Sequence, residues 1–145
     1  KIAKEIKADG IHLGKTDVCP TLARKYLYTW QLIGGTANTL QDCEELITKD
    51  VDYISLSPYR LSTNKENSSP ALGLMGYTAI TDVLETETPI IGFGCIKTED
   101  VKAILETGVS GIAVSEEITR DFNTIRIYNQ LLKASSTEEQ RYTFK

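Results

Sequence analysis

Short apolar runs alternate along this chain with stretches whose apolar positions recur at helical spacing. The runs are Ile11–Gly14, Leu32–Gly35, Tyr53–Ser57, Pro89–Phe93 and Gly111–Val114. Each is too short for a helix and is bounded by glycine, proline or polar residues, so each predicts a buried strand. Between them the period changes. Ile2, Ala3 and Ile6 share one face of a helix that Gly10 breaks, and Pro20 suits the first position of a helix running to about Tyr28. Leu40, Cys43, Leu46 and Ile47 stripe the next helix, and Tyr77, Ile80 and Leu84 the one after. Thr98 predicts an N-cap for a helix that buries Val101, Ile104 and Leu105 and stops at Gly108. A final helix is expected to carry Phe122, Ile125, Leu131 and Leu132 toward the core. Tyr26, Tyr28 and Trp30 cluster before the second strand and predict a plug in the core at the bottom of the sheet.

A helix followed by five strand–helix units predicts an α/β domain with a parallel sheet buried on both faces. Residues 1–134 are expected to form it, with 135–145 as a polar tail. In such folds the chemistry gathers at the carboxyl ends of the strands. The polar residues concentrate there: Lys15 and Asp17, Thr36 and Asn38, Ser62 to Lys65, Gly94 to Lys97, Ser115 to Glu117. The connection after Tyr53–Ser57 is unusually long, and long ordered connections in compact domains commonly serve binding. Its hydroxyls and amides at Ser62, Thr63 and Asn64, beside the cation Lys65, form a plausible anion cradle.

Composition narrows the class. With 145 residues, 41% hydrophobic and 25% charged, the chain has the makings of one ordinary globular domain. A net charge of −4 argues against a general nucleic-acid binder. Three cysteines without C-x-x-C spacing argue against a zinc site or a disulfide framework and suit a reducing cytoplasm. No apolar run approaches a membrane span, and the first residues are not a signal peptide. On residue type alone, Asp17 suits a turn cap as well as a metal ligand, and Lys65 a solvated loop cation as well as a phosphate ligand. Arg60 suits either a phosphate or a neighbouring carboxylate. His12, inside an apolar strand, reads as structural and hydrogen-bonded.

Four segments, Gly10 to Asp17, Ile33 to Thr39, Ser57 to Gly73 and Pro89 to Ile96, resemble thiamine phosphate synthase in order and spacing. The resemblance implies a (β/α)8 TIM barrel of which this chain carries the fourth to eighth strand–helix units and lacks the first three. It implies a transferase that joins hydroxymethylpyrimidine diphosphate to a thiazole phosphate, releasing pyrophosphate and using magnesium. By the same resemblance Asp17 is the acidic magnesium ligand and Thr36 the small hydroxyl facing the pyrimidine. Ser62 and Asn64 stand where two threonines are usual, Lys65 is the catalytic lysine at the diphosphate, and Gly94 and Ser115 belong to the phosphate-binding loops. The implied partners are the two small molecules, with neither nucleic acid nor membrane; a homo-oligomer is compatible with the sequence.

Five units cannot close an eight-stranded barrel, so a portion of a longer protein is expected. Cys95 replaces the second glycine of a pair, Ser57 replaces a usual glycine, and Glu116 and Glu117 occupy a loop where carboxylates should repel phosphate unless they point away or hold metal. These departures leave open a degenerate member that binds a phosphate ligand without turnover. The similar thiazole tautomerase carries a histidine where this chain has Asn38, which disfavours that alternative.

Overall fold

The computed structural model describes residues 1–62 and 69–133. After a short helix α1 (Ile2–Glu5) come β1 (Gly10–Leu13), α2 (Pro20–Arg24), β2 (Leu32–Ala37), α3 (Leu40–Thr48), β3 (Tyr53–Leu56) and α4 (Gly73–Thr81). Then follow β4 (Ile90–Phe93), a 3₁₀ turn (Thr98–Asp100), α5 (Val101–Glu106), β5 (Gly111–Ala113), α6 (Glu116–Arg120) and α7 (Thr124–Leu131). The strands form one sheet in the order β1-β2-β3-β4-β5, every pair parallel. Each strand lies beside its predecessor, the arrangement of consecutive units in a (β/α)8 barrel. β1 pairs with residues 32–35 of β2, while β3 pairs with residues 34–37, a stagger of the kind barrel geometry requires.

Alternation along the strands sorts the side chains. Ile33, Ala37, Ile54, Leu56 and Ile90 face the helices and are buried with Cys43, Leu46, Tyr77, Val101 and Ile104. A side chain at Gly35 would strike Leu46, and one at Gly92 would strike Tyr77, so these glycines let helices approach the sheet. Tyr77 ties the layers together: its hydroxyl donates to Leu56 O at 2.7 Å and accepts from Phe93 N at 3.0 Å, bridging β3 and β4. The opposite face carries His12, Leu32, Thr36, Tyr53 and Phe93. It lacks a covering layer among the described residues, leaving Leu32 49% and Phe93 42% exposed.

The predicted strands all form, to within a residue or two at their ends. The helical expectations need four corrections. The last helix is two, because Asp121 takes the Asn123 amide on its carboxylate and starts a new turn. Phe122 falls in that break, 72% exposed, and Tyr128 is the buried residue of α7 instead. α2 ends at Arg24, whose guanidinium reaches Gln31 O and the Asp52 carboxylate at 2.7 Å each. Thr98 is not the cap; Asp100 accepts the Lys97 amide at 2.9 Å and closes that turn. Tyr26, Tyr28 and Trp30 are surface residues, with Tyr28 stacked on Trp30 and under Lys4. Ile2 and Ile6 are likewise exposed. The predicted tail, 135–145, lies outside the described residues.

Candidate active site

The carboxyl ends of the strands open into a cavity of about 1000 Å³. Thr36, Ser62, Gly94 and Ser115, drawn from four separate loops or strand ends, line it together. Four of the expected site residues therefore converge. Asn64 and Lys65 lie outside the described residues, but Ser62 and Ser69, on either side of that segment, both border the cavity. Asp17 lines a smaller adjoining cavity of about 220 Å³ that shares Lys15 and Thr36 with the large one.

The walls are held by a network that spans the loops. The segment after β3 is pinned to the end of β4: Tyr59 N donates to Phe93 O at 2.8 Å and Arg60 N to Gly94 O at 3.1 Å. Gly94, at φ +116, has no room for a side chain, since a Cβ would lie 2.8 Å from Tyr59 N and 3.0 Å from Pro58 Cα. Cys95 follows in the left-handed region at φ 46, a conformation that a glycine would adopt without cost. The departure at Cys95 therefore places a side chain where the backbone favours glycine.

Arg60 is decided by geometry. It forks onto Asp100 at 3.0 and 2.9 Å and donates to Cys95 O at 2.7 Å, so it braces the cavity wall that it helps to line. Burial alone would raise the Asp100 carboxyl, but the Arg60 fork and the Lys97 amide outweigh it and hold the group below its ordinary value. A depressed folded-state value means stability that is present above the unfolded value, near pH 4, and lost as pH falls through the folded one. Asp100→Asn is expected to cost about 1–2 kcal/mol at neutral pH, because Arg60 is half exposed and screened. Urea titrations between pH 3 and 7 should show that difference shrinking on the acid side. A constant gap would discount the pair.

On the uncovered face, three polar groups from three strands form a chain. Tyr53 Oη lies 3.1 Å from His12 Nδ1, and His12 Nε2 lies 2.8 Å from Thr36 Oγ1. Burial lowers the His12 value, with Asp17 partly opposing it, which favours the neutral ring. The reading of His12 as hydrogen-bonded stands, and one of its partners, Thr36, lines the cavity. Tyr53 escaped notice because it sits within an apolar run. The period-two alternation that sets Tyr53 and Thr36 on His12's face was its only sequence signal.

Glu116 and Glu117 neither point away nor stand free. Arg120 meets Glu116 at 2.7 Å and Glu117 at 3.1 Å, and all three line the cavity. The expected repulsion toward phosphate is thereby reduced, one guanidinium offsetting one of the two carboxylate charges. Lys15 pairs with Asp42 at 2.8 Å, and Asn38 donates to Ser57 O at 2.7 Å, so both organise the loop after β2. Asp17 accepts the Gly14 amide at 2.7 Å on one carboxylate oxygen. Among the described residues no three His, Cys, Asp or Glu side chains gather closely enough to hold a metal. Asp17 therefore caps its own turn and offers a cation a single carboxylate. Magnesium, which accepts one or two carboxylates alongside phosphate oxygens and water, is compatible with that donor.

Comparison with known proteins agrees with this geometry. The family profile described as thiamine monophosphate synthase matches residues 1–118. A thiamine-phosphate synthase of Bacteroides thetaiotaomicron is 46% identical over 123 residues, covering 83% of this chain and 59% of the relative. That of Flavobacterium psychrophilum is 41% identical over 135 residues, covering 91% and 66%. A solved thiamine phosphate pyrophosphorylase from Pyrococcus furiosus superimposes with a TM-score of 0.73 at 25% identity, over 90% of this chain and 64% of that one. A 3-hexulose-6-phosphate synthase, at 14% identity and a TM-score of 0.66, shares the fold. The chain spans about three-fifths of the length of the first of these relatives. With its consecutive parallel units, its convergent strand-end loops and a profile match over most of its length, the chain belongs to the thiamine monophosphate synthase family.

Proposed function

We propose that this protein is a transferase of thiamine biosynthesis that joins hydroxymethylpyrimidine diphosphate to thiazole phosphate. In the reaction the bond from the pyrimidine's exocyclic carbon to the diphosphate oxygen breaks, and pyrophosphate leaves with the electron pair. The thiazole nitrogen lone pair then forms the new C–N bond. The observation that carries the reading is the convergence of Thr36, Ser62, Gly94 and Ser115 on one cavity of a chain whose residues 1–118 match the family profile. Thr36 faces the pyrimidine, Ser62, Asn64 and Lys65 hold phosphate oxygens, and the loops of Gly94 and Ser115 take the thiazole phosphate. Lys65 is the catalytic group: a fixed cation there offsets charge building on the departing diphosphate. Asp17 lends one oxygen to magnesium, which when bound would neutralise further charge on the same anion.

Arg120's hold on Glu116 and Glu117 supports turnover over a degenerate binder, and Asn38, committed to Ser57 O, supplies no histidine for a tautomerase. A cytoplasmic site of action fits three cysteines that form no disulfide and the lack, among the described residues, of any helix long and apolar enough to cross a membrane. Incubating full-length protein with the pyrimidine diphosphate, thiazole phosphate and magnesium should release pyrophosphate in step with the coupled product. Tight thiazole phosphate binding without product would instead establish the non-catalytic alternative.

A further inference from the structure

We propose that His12 is a positioning residue that donates to Thr36 Oγ1 and so keeps the Thr36 hydroxyl proton off the ring, leaving it to be donated to an acceptor on the ligand. The inference rests on the synthase reading for the ligand's identity, an aza-aromatic ring, but its chemical core is independent of that reading. A neutral imidazole has one nitrogen that donates and one that accepts. Nδ1 faces Tyr53 Oη at 3.1 Å, and Nε2 faces Thr36 Oγ1 at 2.8 Å. Only two arrangements satisfy both contacts, and they run the protons in opposite directions.

Acidity selects between them. A phenol loses its proton near pH 10, far more readily than a neutral imidazole N–H does. An imidazole nitrogen is also a much better acceptor than a phenolic oxygen. Tyr53 therefore donates to Nδ1, the ring proton resides on Nε2, and Nε2–H donates to Thr36 Oγ1. Neither hydroxyl has another hydrogen-bond partner among the described residues. Thr36 keeps its own proton, and its side chain borders the cavity. In register, Tyr53 and His12 both sit opposite Gly34, while Thr36 lies two residues nearer the carboxyl end of β2. The pair thus supports Thr36 from beneath. For the proposed substrate the matching group is a ring nitrogen lone pair, which takes the proton that Thr36 has left to donate.

Full-length protein labelled with ¹⁵N-histidine tests the tautomer directly, with His12→Gln identifying the resonances. The wild-type protein is expected to show a protonated Nε2 and a bare Nδ1, and Tyr53→Phe to lose that bias. A protonated Nδ1 in the wild type overturns the proposal. Calorimetry with pyrimidine diphosphate alone gives the second arm. Thr36→Val and His12→Ala should each weaken binding about tenfold, Thr36→Ser should not, and the double variant should be no worse than Thr36→Val. Additive losses, or an equal loss of thiazole phosphate affinity, would make His12 merely structural and end the proposal. A wild-type protein without turnover would remove the synthase reading while leaving the tautomer decided by the resonances.

Discussion

Full-length protein carrying Lys65→Ala is expected to lose about 10²–10³-fold in kcat while keeping its affinity for thiazole phosphate, because one preorganised charge at a developing anion is worth that much. Single-turnover release of pyrophosphate and calorimetry with thiazole phosphate read the two quantities separately. The expectation comes from the family match and from Ser62 and Ser69, which place both approaches to the lysine's segment on the cavity rim. An unchanged kcat would strip Lys65 of the catalytic role. A parallel loss of thiazole phosphate affinity would make it a general anion anchor instead. Lys65→Arg serves as a control, since a guanidinium keeps the charge but not the compact ammonium geometry. Partial recovery by arginine would assign the effect to charge.

The second large effect falls on stability. Gly94→Ala is expected to destabilise the protein by about 3 kcal/mol, through a backbone angle that side chains resist and a collision with backbone atoms that cannot move aside. Gly73 provides the comparison. It also has a positive φ, +57, but nothing stands within 4 Å of where its Cβ would lie. Gly73→Ala should therefore cost only the angle, about 1 kcal/mol. Equilibrium urea unfolding of both variants separates collision from angle, and equal losses would show that the loops after β3 and β4 can part. Gly94's bare Cα thus serves loop against loop as well as any ligand.

Much of this molecule is written in period and spacing. The five strands could be placed because Ile33, Ile54, Leu56 and Ile90 are β-branched or aliphatic residues in short runs bounded by turn formers, and their faces followed from alternation. What failed were elements governed by single side-chain hydrogen bonds. No periodicity announces that Asp121 will restart a helix, or that Asp100, not Thr98, will close the preceding turn. The exposed aromatics Tyr28 and Trp30 misled for another reason: apolar surface marks a core only when something packs on it. At the site, the loops that converge could be named from their polarity at the strand ends. Partners in long-range pairs could not, since Arg60 meets Asp100 forty positions away and His12 meets Tyr53 forty-one away. How far the carboxylates near Ser115 are offset likewise depended on Arg120 folding back over one helical turn.

The sheet described above ends at β1 and β5, and neither outer strand has a neighbour on its far side among the described residues. Those rows of amide and carbonyl groups are adhesive: they will accept any extended backbone that arrives in register. Produced without the units that its relatives possess, the chain is therefore a template for clumping, and its first visible failure would be turbidity long before any loss of helix.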